Sequence, residues 1–213
     1  LQTKQAAVIP FLATADHTIR DALRHQVDIG GPTQTARVIR WPQVSPDQSK
    51  VYFHALGHIW VKDLPNGTPQ RLTKDTHLEY YPCLSADGKQ LVYTSWDDQK
   101  GGRLMAYDFE FKERRTLMDK PGHYVEPSFD PEGERVLYRR VGYGSTRGDA
   151  FTTRPGVYLY DMRGGVNRFI TKSGSLPRFH PTQDRIVVID SEGTNTACSS
   201  LNMTGHDRRV IAT

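Results

Sequence analysis

One pattern dominates this chain: a proline, then a tight polar turn, then a run of β-branched and aromatic residues. It occurs as "PQVSPDQSKVYFHA" from Pro42, "PCLSADGKQLVYTS" from Pro82, "PSFDPEGERVLYRR" from Pro127 and "PRFHPTQDRIVVID" from Pro177. The spacings are 40 (82 − 42), 45 (127 − 82) and 50 (177 − 127) residues. A period of this size marks a repeat architecture, because each unit is too small to bury its own faces and must stack on a neighbour.

The periodicity inside each unit is that of strands. The turns Ser45-Pro46-Asp47, Ser85-Ala86-Asp87-Gly88 and Asp130-Pro131-Glu132-Gly133 hold the residues of a tight hairpin. Proline presets φ, Asp and Ser bond back to the backbone, and Gly accepts a positive φ. Gly88 is expected at positive φ. After each turn come the runs 50–55, 91–95, 135–140 and 185–190. A second set follows at 58–64, 103–109 and 156–162, and a third at 69–74, 113–118 and 166–172. The last unit continues with 199–204 and 207–213. The stretch after each repeat proline supplies one more, inner strand. The expected fold is therefore all-β: a β-propeller of four four-stranded antiparallel blades, forming part of a larger propeller. A β-sandwich also uses short strands, but does not explain one turn returning in phase four times.

The expected organisation is residues 1–40 as the leading strand of an incomplete blade plus a connector, then blades at 41–81, 82–126, 127–176 and 177–213. Within the first segment, 5–11 reads as a strand and 16–27 as a short helix or an extended connector. The chain starts at Leu1 rather than Met and stops at Thr213 inside a strand-like run, so a segment of a longer protein is expected.

The turn, the following "VYF" or "LVY" strand and the "WVKDL" or "MAYDF" strand resemble the TolB-like propeller repeat. That repeat also occurs in the non-catalytic propellers of tricorn-like and prolyl-oligopeptidase-type peptidases. "IRWPQVSPDQSKVYFHALGHIWVKDLPNGTPQRLT" and "EYYPCLSADGKQLVYTSWDD" are similar, more closely, to the propeller segment of secreted bacterial amidohydrolases. The resemblance implies a periplasmic or secreted, non-catalytic module that presents a protein-interaction or substrate-gating surface within a larger protein, a metal-dependent amidohydrolase. The alternative is a TolB-type envelope adaptor that only binds partner proteins. The last unit departs from the pattern, with His180-Pro181-Thr182-Gln183 in place of the usual turn.

No residue is assigned a catalytic, cofactor-binding or metal-binding role, and no cofactor is expected. The eight His are 17, 25, 54, 58, 77, 123, 180 and 206, and none forms the His-x-His of a metallohydrolase. His54 and His58 stand four apart, but across a strand–turn–strand rather than on a helix face. "GYGST" (142–146) and "SGSLP" (173–177) lack the Gly-x-Ser-x-Gly elbow of a serine hydrolase and read as loops. No phosphate-binding glycine loop is present. Asp47, Asp87 and Asp130 read as turn caps rather than calcium ligands, and Trp96-Asp97-Asp98 does not extend them into a calcium motif. Trp60, Tyr93, Tyr107, Tyr138, Tyr158 and Tyr160 fall on strands, where packing between blades is expected. Cys83 and Cys198 read as buried free thiols, too few for a disulfide scaffold. "NMT" (202–204) and "RGD" (147–149) are short enough to occur by chance. The segment between Arg140 and Gly156 reads as a surface insertion.

A net charge of +4 is mild, and 112–115 and 207–209 are isolated basic clusters on expected strand edges. Nucleic acid is therefore not an expected partner. No apolar run approaches the roughly 18–20 residues a membrane helix requires, so membrane insertion is not expected. The expected partners are the remainder of the parent chain or another protein, with self-association through exposed blade faces.

Overall fold

The computed structural model describes residues 10–17, 35–142, 154–192 and 195–212. Residues 1–35 and 36–213 form two separate units. In the first, the described residues 10–17 have no regular secondary structure and are exposed. The expected strand at 5–11 and helix at 16–27 otherwise lie outside the described residues.

The second unit is built of strands, and its described residues include no helix, so none that could cross a membrane. The first sheet pairs β1 (Arg40–Val44), β2 (Lys50–Ala55), β3 (His58–Asp63) and β4 (Gln70–Arg71) in chain order. Next come β5 (Leu78–Leu84), β6 (Gln90–Asp97), β7 (Gly101–Asp108), β8 (Glu113–Phe129), β9 (Arg135–Val141), β10 (Gly156–Asp161) and β11 (Asn167–Thr171), joined as one seven-stranded sheet. The last sheet holds β12 (Ser175–Phe179), β13 (Arg185–Glu192), β14 (Asn195–Asn202) and β15 (Arg209–Ala212). All pairs are antiparallel.

The seven-stranded sheet contains the repeat twice, because β8 serves two neighbours. Its first part, Glu113 to Gly122, pairs with β7, and its last part, His123 to Phe129, pairs with β9.

The inner strands differ from the expectation. They do not begin after the repeat proline but run through it. In each, two residues oppose one on the partner strand: Trp41-Pro42, Tyr81-Pro82, Glu126-Pro127 and Leu176-Pro177 all sit where the register shifts. This is a β-bulge, which tolerates proline because the extra residue leaves the ladder. The residue before each proline has φ of 49°, 53°, 57° and 50° in turn. A non-glycine residue held there costs about 1–2 kcal/mol, and the same strain recurs in all four inner strands.

Apolar layers fill the gaps between successive units. Tyr52, Ile59, Leu91, Tyr93 and Met105 form one layer. Val92, Leu104, Val136, Tyr138, Tyr158 and Tyr160 belong to the second. Leu137, Val157, Leu159, Ile186, Val188 and Leu201 belong to the third. Neighbours in sequence, such as Leu91 and Val92, enter opposite layers. Strands covered on both faces explain why the runs read as continuously apolar rather than alternating. Of the aromatics expected to pack between blades, Tyr93, Tyr138, Tyr158 and Tyr160 lie in these layers and Tyr107 packs against one. Trp60 stays outside them and donates its indole N–H to Ala55 O at 2.8 Å.

The units are also tied by polar bonds. Glu79, fully buried on β5, accepts from Ile59 N at 3.0 Å and from Thr73 Oγ1. Ser128 Oγ donates to Pro177 O at 2.9 Å. Glu126 accepts Leu176 N at 2.7 Å while holding Arg139 through two bonds of 2.8 and 2.9 Å.

At the opposite end, the repeat turns are hairpins closed by their own side chains. Ser85 Oγ donates to Asp87, which accepts Lys89 N at 3.0 Å. Asp47 makes the same set with Ser45 and Ser49, and the Ser45 and Ser49 hydroxyls hold its carboxyl down to about 2. Asp130 differs from the expected grouping. It occupies the place of Ser45 and Ser85, where it accepts Glu134 N, Arg135 N and Arg135 Nε. In the last unit His180 Nδ1 takes this place, accepting Thr182 N and Gln183 N.

Candidate functional site: an aromatic cavity at the inner strands

The bulges have a geometric consequence. Arg40, Tyr80, Val125 and Ser175, each two residues before a repeat proline, pair with His54, Thr94, Arg139 and Ile189 on the next strand. The residue between, at positive φ, is turned out of the ladder. In the third unit this couple is Glu126 with Arg139, an ion pair. In the first it is Trp41 with His54, whose ring centroids are 5.3 Å apart.

Where three inner strands begin, a cavity of about 320 Å³ opens. Arg40 and Trp41 of β1, Tyr80 and Tyr81 of β5, Trp96 of β6, and His123 and Tyr124 of β8 line it, with Thr94 and Ser95. Trp41 lies on Tyr81 with centroids 4.0 Å apart. Trp96 meets His123 edge-on at 5.7 Å and donates its indole N–H to Asp98 at 2.8 Å. Behind Trp41, His54 stacks on Tyr80 at 5.1 Å.

Among the described residues the lining carries one permanent cation, Arg40, and no carboxylate. Burial pushes the Tyr80 and Tyr81 phenols up and holds the His54 and His123 imidazoles below 6.5. Near neutral pH the wall is thus aromatic and uncharged except at Arg40. Such a surface offers ring faces and a few hydrogen bonds, which suits binding.

A second, more open cavity of about 590 Å³ lies between the third and last units, with Lys172, Ser173, Ser175 and Ser191 on its wall. The nearby Arg139 is already engaged by Glu126.

The residues weighed from the sequence are scattered. His54 and His58 face each other's strands across the Leu56-Gly57 turn, but His54 lies among rings while His58 approaches Arg71 at 3.1 Å. Asp97 caps the turn after β6 through Gln99 N and Lys100 N. Among the described residues, no three His, Cys, Asp or Glu gather as a metal site. Cys83 and Cys198 are free and half-buried. "SGSLP" is a loop only at its start, since Ser175–Pro177 opens β12. "GYGST", apart from Gly142, and "RGD" lie outside the described residues. Sequence reasoning missed Trp41, Tyr80, Tyr81 and Trp96. The available signal was an aromatic residue directly before the repeat proline in two consecutive units.

No protein-family model matches the chain. The Tol-Pal system protein TolB of Desulfosudis oleivorans (strain DSM 6200 / JCM 39069 / Hxd3) is 27% identical over 113 residues, covering 46% of this chain and 25% of that protein. TolB from Acinetobacter baumannii superposes with a TM-score of 0.63 at 20% identity, over 82% of this chain and 43% of that one. A putative TolB from Agrobacterium tumefaciens gives 0.65 at 18% identity, over 84% and 66%. The fold is that of a TolB-like β-propeller. The four strained bulges fall on the first strand of each succession, and the aromatic cavity lies where three of those strands begin. The chain spans only a quarter of the curated TolB it matches.

Proposed function

We propose that this chain is a non-catalytic TolB-like propeller module of a longer envelope protein, and that its aromatic cavity is a docking site for a protein partner. The carrying observation is the wall of Trp41, Tyr80, Tyr81 and Trp96 around Arg40, assembled from β1, β5 and the end of β6. Half-buried rings beside one cation favour a peptide segment with apolar and acidic side chains. The periplasm fits the likeness to TolB. The blades would run close to the expected 41–81, 82–126, 127–176 and 177–213, each starting slightly earlier because its first strand begins before the repeat proline, with further blades from the parent chain. In support, β1, β5, the last part of β8, and β12 each lead a four-strand succession. The metal-dependent amidohydrolase parent rests on sequence likeness alone, and none of the three proteins compared is one.

The test is a photo-crosslinking residue at Tyr81 in the full-length protein, with a control at Gln183 in the opposite turn. One defined partner crosslinked from Tyr81, and lost in Trp41→Ala, is expected. Equal labelling from both positions would overturn the docking site. Turnover of an amide or ester by the purified chain, abolished by a single substitution within it, would overturn the non-catalytic reading.

A further inference from the structure

The side chain least explained by folding is His54. It is 9% exposed, and both ring nitrogens are buried with no hydrogen-bond partner. Packing alone would favour an apolar ring there. An unpaired imidazole N–H buried from water is costly, and an imidazolium more so. The ring lies between Trp41 and Tyr80, and both of these line the aromatic cavity.

We propose that His54 is a proton switch for this cavity: taking one proton from solvent expels its ring from between Trp41 and Tyr80 and reshapes the wall that those two residues form. The inference rests on the docking reading for its biological use, but not for its physics.

The surroundings set the direction. From β1, Arg40 faces the ring with a positive charge, and from β3, His58 adds another when protonated. From β5 come the phenols of Tyr80 and Tyr81, both pushed up by burial and hence neutral. Glu79, also on β5, is occupied by Ile59 N, Thr73 and the nearby His58, and makes no bond to His54. A proton on His54 therefore meets the Arg40 cation, a second charge once His58 is protonated, and no free carboxylate among these groups. Relief comes from moving the ring toward water, which frees Trp41 from its stack on Tyr81. Such a change of charge in a packed aromatic stack is how histidine acts as a switch near physiological pH.

The test is an NMR titration of the chain from pH 7.5 to 4.5, following the His54 ring and the Trp41 indole. Both resonances are expected to shift together with one midpoint below 6.5, and the Trp41 shift is expected to vanish in His54→Phe. A His54 midpoint at or above 6.5, or a Trp41 indole unmoved while His54 titrates, would overturn the switch. If His54→Phe does not fold, the wild-type comparison alone decides between these outcomes. Absence of a crosslink from Tyr81 would count against docking and leave this titration unaffected, so the two readings fail separately.

Discussion

At the scale of single residues, the repeat turn reveals which positions are chosen for conformation. Gly88 and Gly133 both have φ of 72°, and the equivalent Gln48 has 59°. Only glycine adopts this region without penalty. A Cβ on Gly88 would also stand 2.9 Å from Pro46 Cδ in the neighbouring turn. Gly88→Val is therefore expected to cost about 1–2 kcal/mol or more, read as a lower midpoint in urea. Gln48→Gly, relieving the same strain, should gain up to about 1 kcal/mol; a loss of stability would show that Gln48 contributes bonds its side chain does not display. The positive φ of Gly88 was legible in the sequence because Asp-Gly after Ser announces it. The strain at Trp41, Tyr81, Glu126 and Leu176 was not. A residue before proline is normally extended, and only pairing to the next strand forces it otherwise.

At the scale of elements, most strands were legible, and the errors have one cause. The runs 50–55 and 135–140 fall within β2 and β9, because both faces are covered and the apolar signal is continuous. The inner strands begin earlier than the sequence suggests, because proline looks like a boundary, whereas a bulge carries it inside the strand. The fusion of an outer and an inner strand in β8 has no periodic signature, since it depends on how the chain crosses from one unit to the next. The bonds between units were equally hidden. Glu79 in "HLEYYP" looks like a solvated charge, yet it is fully buried and joins β5 to β3. Glu79→Ala removes the acceptor of a buried backbone N–H and of the Thr73 hydroxyl. It is expected to cost roughly 2–4 kcal/mol in equilibrium unfolding. Little change would mean that the two units are held by their apolar layer alone.

For the whole molecule, two properties follow from how the units are arranged. The first is acid sensitivity. Burial holds His54, His58 and His123 below 6.5 in the folded state. The unfolded chain then binds more protons below that pH, so stability is full above 6.5 and is lost as pH falls through the folded values. A melting temperature flat from pH 7.5 to 5 would contradict this. The second is closure. Extensive contacts run from β1 to β5, from β5 to β8 and from β8 to β12, and none of that extent joins the first sheet to the last among the described residues. An arc with two ends rather than a closed ring is therefore the expected arrangement. Val38, Ile39 and Val44 are exposed toward the beginning of the arc, and Val210 and Ile211 on its last strand. β15 is also an edge strand, paired only to β14, which offers unpaired backbone groups to another chain. Exposed apolar side chains beside an open edge favour association. The isolated chain is therefore expected to self-associate, with the apparent mass by light scattering rising with concentration. Lysine at Val210 and Ile211 should weaken that association without lowering the melting temperature, because both side chains are already exposed. A monomer at all concentrations, together with an experimental structure closed as a four-unit ring, would overturn the open arc.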